Sequence, residues 1–307
     1  MFRCPGGKRR VAETIVDQIL EQCGGSLENY CEPFAATAAV GLRLLKTVSV
    51  ERVWLNDIDR GTFSLWWCVL HDQEREEFLR LVDRFKPSKR AFVQFKKDLL
   101  SGADFPLTEI ALMKIACHQM SFSGLGAMAG GAMTAVSSRW SPRWIRKNVD
   151  EARRLFAGSD VRITNLDYKD VLREVDASTF VFLDPPFYQM GTVLYQHSFT
   201  ETDHADLAAI LRSSRFNWLL SYDDCPEIRR MYDRYSIREI QMKYTIHTVR
   251  RKNELLIAPP TAVSATAIVG IRPDMFMGPG EMLSWSRPEN AVSLPEAFEL
   301  HPRVGTW

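Results

Sequence analysis

The stretch FVFLDPPF at residues 180–187 decides how this chain should fold. Its four leading apolar residues, two aromatic and one β-branched, predict a buried central strand. The two prolines that follow Asp184 cannot extend a sheet ladder, so they predict a stiff turn where the strand ends. In open α/β sheets this carboxyl edge is where ligands bind. A solvated aspartate at an ordinary strand exit is the alternative that these residues leave open.

The composition is that of a globular protein with a sizeable core. The 307 residues are 46% hydrophobic and 25% charged, and the net charge is +1. That balance excludes a strong global attraction to nucleic acid, so any basic surface must be local. The six cysteines are scattered without a C-x-x-C pair, which argues against a metal site and predicts reduced thiols in a cytoplasmic protein. No apolar run is long enough to predict a membrane span.

The first third of the chain repeats the pattern of a strand followed by a ligand-binding turn. Residues 29–34 predict a short strand that leads into the small residues Ala-Ala-Thr-Ala at 35–38, and small side chains let a ligand approach the backbone closely. A second predicted strand, residues 52–56, ends at Asp57. An acid in this position is typical of ribose recognition, although aspartate also favours turns and helix caps. The order predicts a nucleoside-type cofactor.

Two further segments carry residues typical of ligand binding. Gly7 and Lys8 precede a predicted helix, where free backbone N–H groups and an ammonium suit an anionic ligand. A third predicted strand ends at Asp167 and Tyr168. A plain turn with a solvated lysine and an ordinary strand terminus explain the same residues equally simply.

The interval from residue 61 to 155 predicts a mostly helical insert between the two halves of the sheet. Four glycines between positions 121 and 133 predict a mobile or tightly turning loop. Basic residues interleaved with tryptophans follow it, with no acid between 139 and 149, as a nucleic-acid surface requires. A charged helix start with core tryptophans is the alternative. The predicted DNA-binding residues are Arg139, Trp140, Arg143, Arg146 and Lys147.

Four motifs together resemble the Dam-type N6-adenine DNA methyltransferases. They are CPGGK at 4–8, YCEPF at 30–34, NDI at 56–58 and DPPF at 184–187, and the similarity extends over residues 2–258. The resemblance implies an α/β fold with a Rossmann-like methyltransferase sheet and S-adenosylmethionine as cofactor. It also implies a catalytic domain from 1–60 and 156–258 and a target-recognition insert at 61–155, whereas the proline-rich C-terminal extension at 259–307 lies outside the resemblance and has no assigned role.

The resemblance implies roles for individual residues as well. The predicted cofactor-binding residues are Gly7, Lys8, Glu32, Phe34, Asp57, Ile58, Asp167, Tyr168 and Asp184. The chain departs from the family at Cys4, where a tryptophan is usual, and at residues 35–38, where the family has a glycine-containing loop. Alanine adds a Cβ there and disfavours positive φ. These departures motivate an alternative, a DNA-binding relative with impaired catalysis.

The DPPF motif itself suits methyl transfer to an exocyclic amine. The Asp184 carboxylate and the Pro185 carbonyl would accept the two N–H hydrogen bonds and direct the nitrogen lone pair at the sulfonium methyl. Pro186 stiffens the turn, and Phe187 would stack on a base flipped out of the duplex. We therefore predict site-specific methylation of adenine N6. The same chemistry on cytosine N4 or on RNA is the alternative.

The partners follow from this function. We predict a monomer that binds double-stranded DNA, with no metal and no membrane. A restriction endonuclease partner and the target sequence are left open, with GATC as the leading candidate in this family.

Overall fold

The computed structural model describes residues 7–189, 191, 196–245 and 249–260. Side chains are not described for Ser123 and for residues 242–252. The predictions that concern Cys4 and the extension beyond residue 260 therefore fall on residues outside this description. All described residues belong to one compact unit.

Seven strands form a single sheet. They are β1 (Asn29–Glu32), β2 (Arg52–Asn56), β3 (Asp160–Thr164), β4 (Thr179–Leu183), β5 (Asn217–Asp223), β6 (Ser236–Thr245) and β7 (Val249–Ala258). Their order is β3-β2-β1-β4-β5-β7-β6. The first five are parallel, and β7 runs antiparallel to both β5 and β6. This is the Rossmann-like methyltransferase sheet that the resemblance implies, with an antiparallel hairpin of β6 and β7 at one edge.

Helices cover both faces of the sheet. In the described part of the chain they are α1 (Ala12–Gln22), α2 (Ala39–Thr47), α3 (Arg60–Leu70), α4 (Asp72–Arg84), α5 (Lys89–Ser101), α6 (Leu107–Met120), α7 (Pro142–Phe156), α8 (Tyr168–Glu174), α9 (Glu201–Ser213) and α10 (Pro226–Met231). Alternate residues of β4 separate the two layers, since Phe180 and Phe182 join the core beneath α1 and α2 while Val181 and Leu183 join the core beneath α8 and α9. None of the described helices is long and apolar enough to cross a bilayer.

The interval between β2 and β3 is mostly helical, as predicted. Helices α3, α4, α6 and α7 share one hydrophobic core with α1 and α2, through residues such as Trp66, Phe78 and Ile145. Helix α5 packs with α6 on a smaller cluster around Phe92 and Met120. The insert therefore packs into the main core. Its role in target recognition stays a prediction.

The sheet places the ligand edge between β1 and β4. These neighbours pair in parallel, with Cys31 opposite Val181, and the strand order reverses between them. The turns that follow them, residues 33–38 and 184–187, consequently meet at the carboxyl edge of the sheet. In doubly wound folds the crevice at such a reversal is the usual ligand site.

Candidate active site

Three charged side chains from distant parts of the chain form a buried cluster at this edge. Lys8 Nζ lies 2.6 Å from Asp184 Oδ1 and 3.2 Å from Glu254 Oε2. The side chains of Lys8 and Glu254 are only 3% and 1% exposed. We call Lys8, Asp184 and Glu254 the ion cluster. Lys8 and Asp184 were predicted site residues, and Glu254 was not.

The protonation states follow from burial and charge. Burial alone would lower the pKa of Lys8, but the charges of Asp184 and Glu254 raise it above its usual value. Burial raises the pKa values of Asp184 and Glu254, and the Lys8 ammonium opposes both shifts. One ammonium therefore faces two carboxylates in the ion cluster.

The turn after β4 is held by backbone hydrogen bonds to a second carboxylate. The N–H groups of Tyr188 and Gln189 donate to Asp223 Oδ1 and Oδ2 over 2.8 and 3.1 Å. Asp223 ends β5 and is 7% exposed. Phe187 is buried, with Lys8 Nζ lying 5.4 Å from the centre of its ring. Asp223 thus fixes the chain just beyond the predicted catalytic motif, although sequence reasoning did not select it.

The small-residue turn after β1 adopts a conformation that alanine disfavours. Ala36 and Ala38 have φ values of 41° and 45°, in the left-handed region that favours glycine. The Ala36 N–H donates to Asp57 Oδ2 over 2.8 Å, and the Asp59 N–H donates to Asp57 Oδ1 over 2.9 Å. Asp57 therefore ties the turn to the end of β2.

Asp57 and Asp59 have different roles. The sequence left ribose recognition, turn formation and helix capping open for an acid at this point. Asp59 caps α3 by accepting from the Thr62 N–H, and it pairs with Lys114 at 2.8 Å. Burial opposes that charge, yet Lys114 holds the pKa of Asp59 below its usual value. Burial and the neighbouring Asp59 raise the pKa of Asp57. Each oxygen of Asp57 receives one N–H, so each keeps capacity to accept a ribose hydroxyl.

Glu32, at the end of β1, is a buried carboxyl group beneath the same turn. Its Oε1 accepts hydrogen bonds from Tyr30 Oη at 2.9 Å and from the Gly41 N–H at 2.6 Å. A Cβ at position 41 would lie 2.7 Å from that oxygen, so glycine is needed there. Burial raises the pKa of Glu32 to about 8, with the two hydrogen bonds opposing the shift. The group is thus mostly protonated at neutral pH.

The remaining predicted cofactor residues line the neighbouring strand ends. Phe34 and Tyr168 lie with ring centres 5.4 Å apart, and Phe199 packs against both. Ile58 is 43% exposed. Asp167 caps α8, accepting from the Lys169 N–H at 2.8 Å. The structure therefore gathers an aromatic cluster from the segments that follow β1 and β3 and precede α9, and it leaves Ile58 after β2 exposed.

A buried asparagine connects the turn after β1 to the segment after β3. Asn56, which is 1% exposed, donates from Nδ2 to the Pro33 and Leu166 carbonyls, each at 3.0 Å. Its Oδ1 accepts from the Leu166 N–H and the Thr164 hydroxyl. Asn56 belongs to a quoted motif but was not selected as a site residue, since a strand-end amide gives no sign of what it bridges.

The predicted DNA-binding residues do not share one environment. Arg143, Arg146 and Lys147 are exposed on α7, and we call them the insert surface. Arg146 pairs with Asp83 at 2.5 Å. Trp140 instead packs its ring against Phe85, 5.0 Å away, and Arg139 is half-buried beside it.

The glycine-rich loop before α7 turns tightly, which is one of the two forms predicted. Short 3₁₀ turns span Phe122–Gly124 and Gly126–Met128. The buried His118 ring bonds the Gly124 carbonyl through Nδ1 at 2.7 Å. Gly126 has a φ of 62° and lies so close to that ring that a Cβ would come within 2.8 Å of it.

The geometry at the sheet edge fits S-adenosylmethionine. A turn of small residues, a carboxylate with spare acceptor capacity, an aromatic cluster and the ion cluster lie at neighbouring strand ends. No group of three or more metal-ligating side chains occurs among the residues the structure describes.

Comparison with known proteins shows what this chain is similar to. The Type II methyltransferase M.MjaIII of Methanocaldococcus jannaschii is 24% identical over 213 residues, which are 66% of this chain and 73% of that protein. The structure of magnesium protoporphyrin IX methyltransferase from Synechocystis PCC 6803, solved with bound S-adenosylmethionine, superposes with a TM-score of 0.36 at 9% identity, covering 82% of this chain and 79% of that one.

The family model is decisive. The model of the D12 class N6 adenine-specific DNA methyltransferases matches residues 5–246, most of the chain. The predicted fold, cofactor and reaction are those of this family. The chain belongs to the D12 class of N6 adenine-specific DNA methyltransferases, and it methylates DNA adenine with S-adenosylmethionine.

Proposed function

We propose that Asp184 and the Pro185 carbonyl bind the target N6 amine and that the ion cluster positions Asp184 for this task. The amine of adenine is a poor nucleophile because its lone pair is delocalised into the ring. Two acceptors aimed at its N–H groups favour a tetrahedral nitrogen whose lone pair is free to attack. Pro186 stiffens the turn that carries both acceptors.

The single observation that carries this proposal is how the two oxygens of Asp184 are used. Lys8 holds Oδ1 at 2.6 Å, while no hydrogen bond to Oδ2 is found within the described residues. The Asp184 side chain is 20% exposed, in contrast to its buried partners. One oxygen thus anchors the carboxylate, and the other remains available to accept from an incoming amine.

On the cofactor side, the proposal assigns S-adenosylmethionine to the crevice beside β1 and β2. When bound, it supplies an electrophilic methyl group on a sulfonium. Asp57 would accept from the ribose hydroxyls, with Ile58, Asp167 and Tyr168 bordering the adenine ring. Gly7, Lys8, Glu32 and Phe34 would surround the methionine part. The methyl carbon would bond to the target nitrogen while the C–S electron pair stayed on sulfur, and the nitrogen would release its proton to water.

On the DNA side, the proposal assigns target recognition to the insert at 61–155. The substrate would be a base flipped out of double-stranded DNA onto Phe187, because a base inside the duplex cannot bring its amine to a buried edge. Arg143, Arg146 and Lys147 would contact phosphates, and Arg139 and Trp140 would shape the surface behind them. The catalytic domain then comprises 1–60 and 156–258. We further propose a cytoplasmic monomer acting at a specific site; a restriction endonuclease partner is a separate question.

The experiment that tests the proposal is methyl transfer by Asp184→Ala, with Asp224→Ala as a control one strand away. We expect Asp184→Ala to abolish methylation with DNA binding largely kept, and Asp224→Ala, which loses only its pair with Arg229, to remain active. The assay uses tritiated S-adenosylmethionine and digestion to nucleosides, with label expected in N6-methyladenine. An active Asp184→Ala protein would refute the assignment. Sequencing modified bases from an expressing host gives the target site.

A further inference from the structure

We propose that a second basic surface, at the turn between α4 and α5, binds phosphates of the DNA duplex alongside the insert surface. We call it the α4–α5 corner, and its side chains are Arg84, Lys86, Lys89 and Arg90. All four are exposed, and among the residues the structure describes none of their side chains has an ion pair or a hydrogen bond. No acid occurs between positions 84 and 97.

Two contacts join the α4–α5 corner to the insert surface, although the two stretches are distant in the chain. Asp83, directly before Arg84, pairs with Arg146 of the insert surface at 2.5 Å. Phe85, inside the corner, packs against Trp140 with the ring centres 5.0 Å apart. Trp140 lies two residues before α7, which carries the insert surface. The corner and the insert surface are therefore neighbours.

The neighbouring helices place the α4–α5 corner on the active-site side of the sheet. Helix α7 leads into the start of β3, so its first turns lie toward the carboxyl edge of the sheet. Helix α4 runs antiparallel to α7, since Asp72 at its start pairs with Arg153 and Asp83 at its end pairs with Arg146. The end of α4 thus lies toward the carboxyl edge. The proposed function, on which this inference rests, brings the duplex to the same edge.

Two of these cations occupy positions that are unfavourable for folding. Lys89 and Arg90 are the first two residues of α5, whose first turn contains no acid. The amino end of a helix carries a partial positive charge, so cations there are destabilising, and the four like charges of the corner also repel one another. A phosphate would relieve both effects. Residues that break a local rule of stability without compensation within the protein are expected at functional sites.

The chemistry of the α4–α5 corner fits the duplex backbone and not the bases. Lysine and arginine side chains that contact phosphates supply affinity without sequence information. Phe85, the aromatic residue of the turn, packs against Phe95 and Trp140. The corner should therefore strengthen binding to every duplex equally, whether or not the duplex contains the methylation site.

The test is DNA binding by the full chain carrying Lys89→Ala with Arg90→Ala. Fluorescence anisotropy over a salt series would use one labelled duplex that the wild type methylates and one that it does not. We expect the affinity for both to fall about 10-fold at about 0.15 M salt and the salt slope to fall by about 2, because each lost phosphate contact removes about 1. The ratio of the two affinities should stay the same, as should kcat at saturating DNA.

The matched control is Arg212→Ala with Arg215→Ala, an exposed pair near the end of α9. It should leave the salt slope unchanged. Thermal denaturation tests folding, and Lys89→Ala with Arg90→Ala should not lower Tm because it removes cations from a helix amino end. If Tm nevertheless falls, Lys86→Gln, in the loop between the two helices, decides: it should lower the slope by about 1.

An unchanged salt slope in the corner variants would overturn the inference. A loss confined to the methylated duplex would also overturn it, because that result indicates base recognition. Failure of the proposed function looks different. If the insert does not bind DNA, Arg143→Ala with Lys147→Ala also leaves the slope unchanged, and if Asp184 is not catalytic, Asp184→Ala methylates.

Discussion

The ion cluster and the insert surface use charge in opposite ways. Lys8 and Glu254 are almost fully buried and lie within 3.2 Å of each other. Arg143 and Lys147 are exposed, and within the described part of the chain neither forms an ion pair. In the first region Lys8 is paired with carboxylates of two strand ends, whereas in the second region Arg146 alone forms an ion pair within the described residues, with Asp83.

This difference determines how each region should respond to change. A buried charge interacts strongly and specifically, so altering one group disturbs a whole site. Exposed charges are screened by salt and act together, so each contributes modestly to binding and little to folding. Perturbations of the sheet edge should therefore change catalysis and pH dependence, whereas perturbations of the insert surface should change salt-dependent affinity.

The largest effect is expected from removing Asp223, which holds the turn after β4 by two hydrogen bonds. Asp223→Ala frees the N–H groups of Tyr188 and Gln189, so the turn that carries Asp184 can shift. Misplacement of about 1 Å costs roughly 100-fold in rate, and we expect kcat to fall by about that factor with the affinity for S-adenosylmethionine little changed. Single-turnover kinetics and calorimetry measure the two effects.

The neighbouring Asp224→Ala serves as the control for Asp223→Ala. Asp224 pairs with Arg229 at the surface and does not bond the turn. Equal losses of kcat in the two variants would contradict this prediction. They would show that kcat depends on the end of β5 in general and not on the hydrogen bonds to the turn.

The next effect concerns the proton on Glu32. Its pKa of about 8 in the folded protein exceeds the ordinary value of 4.5, so between these values the folded state keeps a proton that the unfolded state has lost. The free energy of unfolding should therefore decrease as pH rises through this window. Glu32→Gln removes that dependence, and its stability relative to wild type should rise by up to about 1.4 kcal/mol per pH unit between pH 5 and about 8.

Urea denaturation at several pH values measures this difference. The same substitution at exposed Glu28 controls for the change of charge. Parallel curves for wild type and Glu32→Gln across the window would contradict the assignment of a buried, protonated Glu32.

The insert surface should show the contrasting behaviour. If Arg143 and Lys147 contact phosphates, replacing both with alanine should weaken DNA binding about 10-fold near 0.15 M salt and lower the salt slope by about 2. At saturating DNA, kcat should be unchanged. Fluorescence anisotropy over a salt series measures the slope. Arg212→Ala with Arg215→Ala is the matched control near the end of α9, on the other face of the sheet. An equal loss in both pairs would remove Arg143 and Lys147 from the interface.

The two regions also differ in how far the sequence could predict them. Asp57, Asp167 and Asp184 follow apolar strands, and parallel strands bring such ends together, so the sheet edge could be anticipated. Glu254 and Asp223 were missed because their partners are set by strand neighbours far away in the chain. A glutamate directly before Leu-Leu-Ile was nevertheless a usable sign of a buried charge.

The insert could be predicted less well, for a physical reason. The alternation of basic and aromatic residues from Arg139 to Lys147 is compatible with both a surface and a core. The structure places Trp140 against Phe85, while Trp144 is 37% exposed. The local pattern contains no information on Phe85, which lies two helices away.

The smallest effect tests the strain in the turn at the sheet edge. A left-handed alanine costs about 1–2 kcal/mol, and glycine costs about 0.5–1 kcal/mol through the unfolded chain. Ala36→Gly should therefore raise the free energy of unfolding by about 0.5 kcal/mol. Ala38 is fully buried, so Ala38→Gly also loses about 0.8 kcal/mol of methyl burial and should be nearly neutral. Ala39→Gly, in the first turn of α2, should destabilise by about 0.5–1 kcal/mol. Thermal denaturation of the three variants measures this order, and a destabilised Ala36→Gly would mean that the alanine turn is not strained.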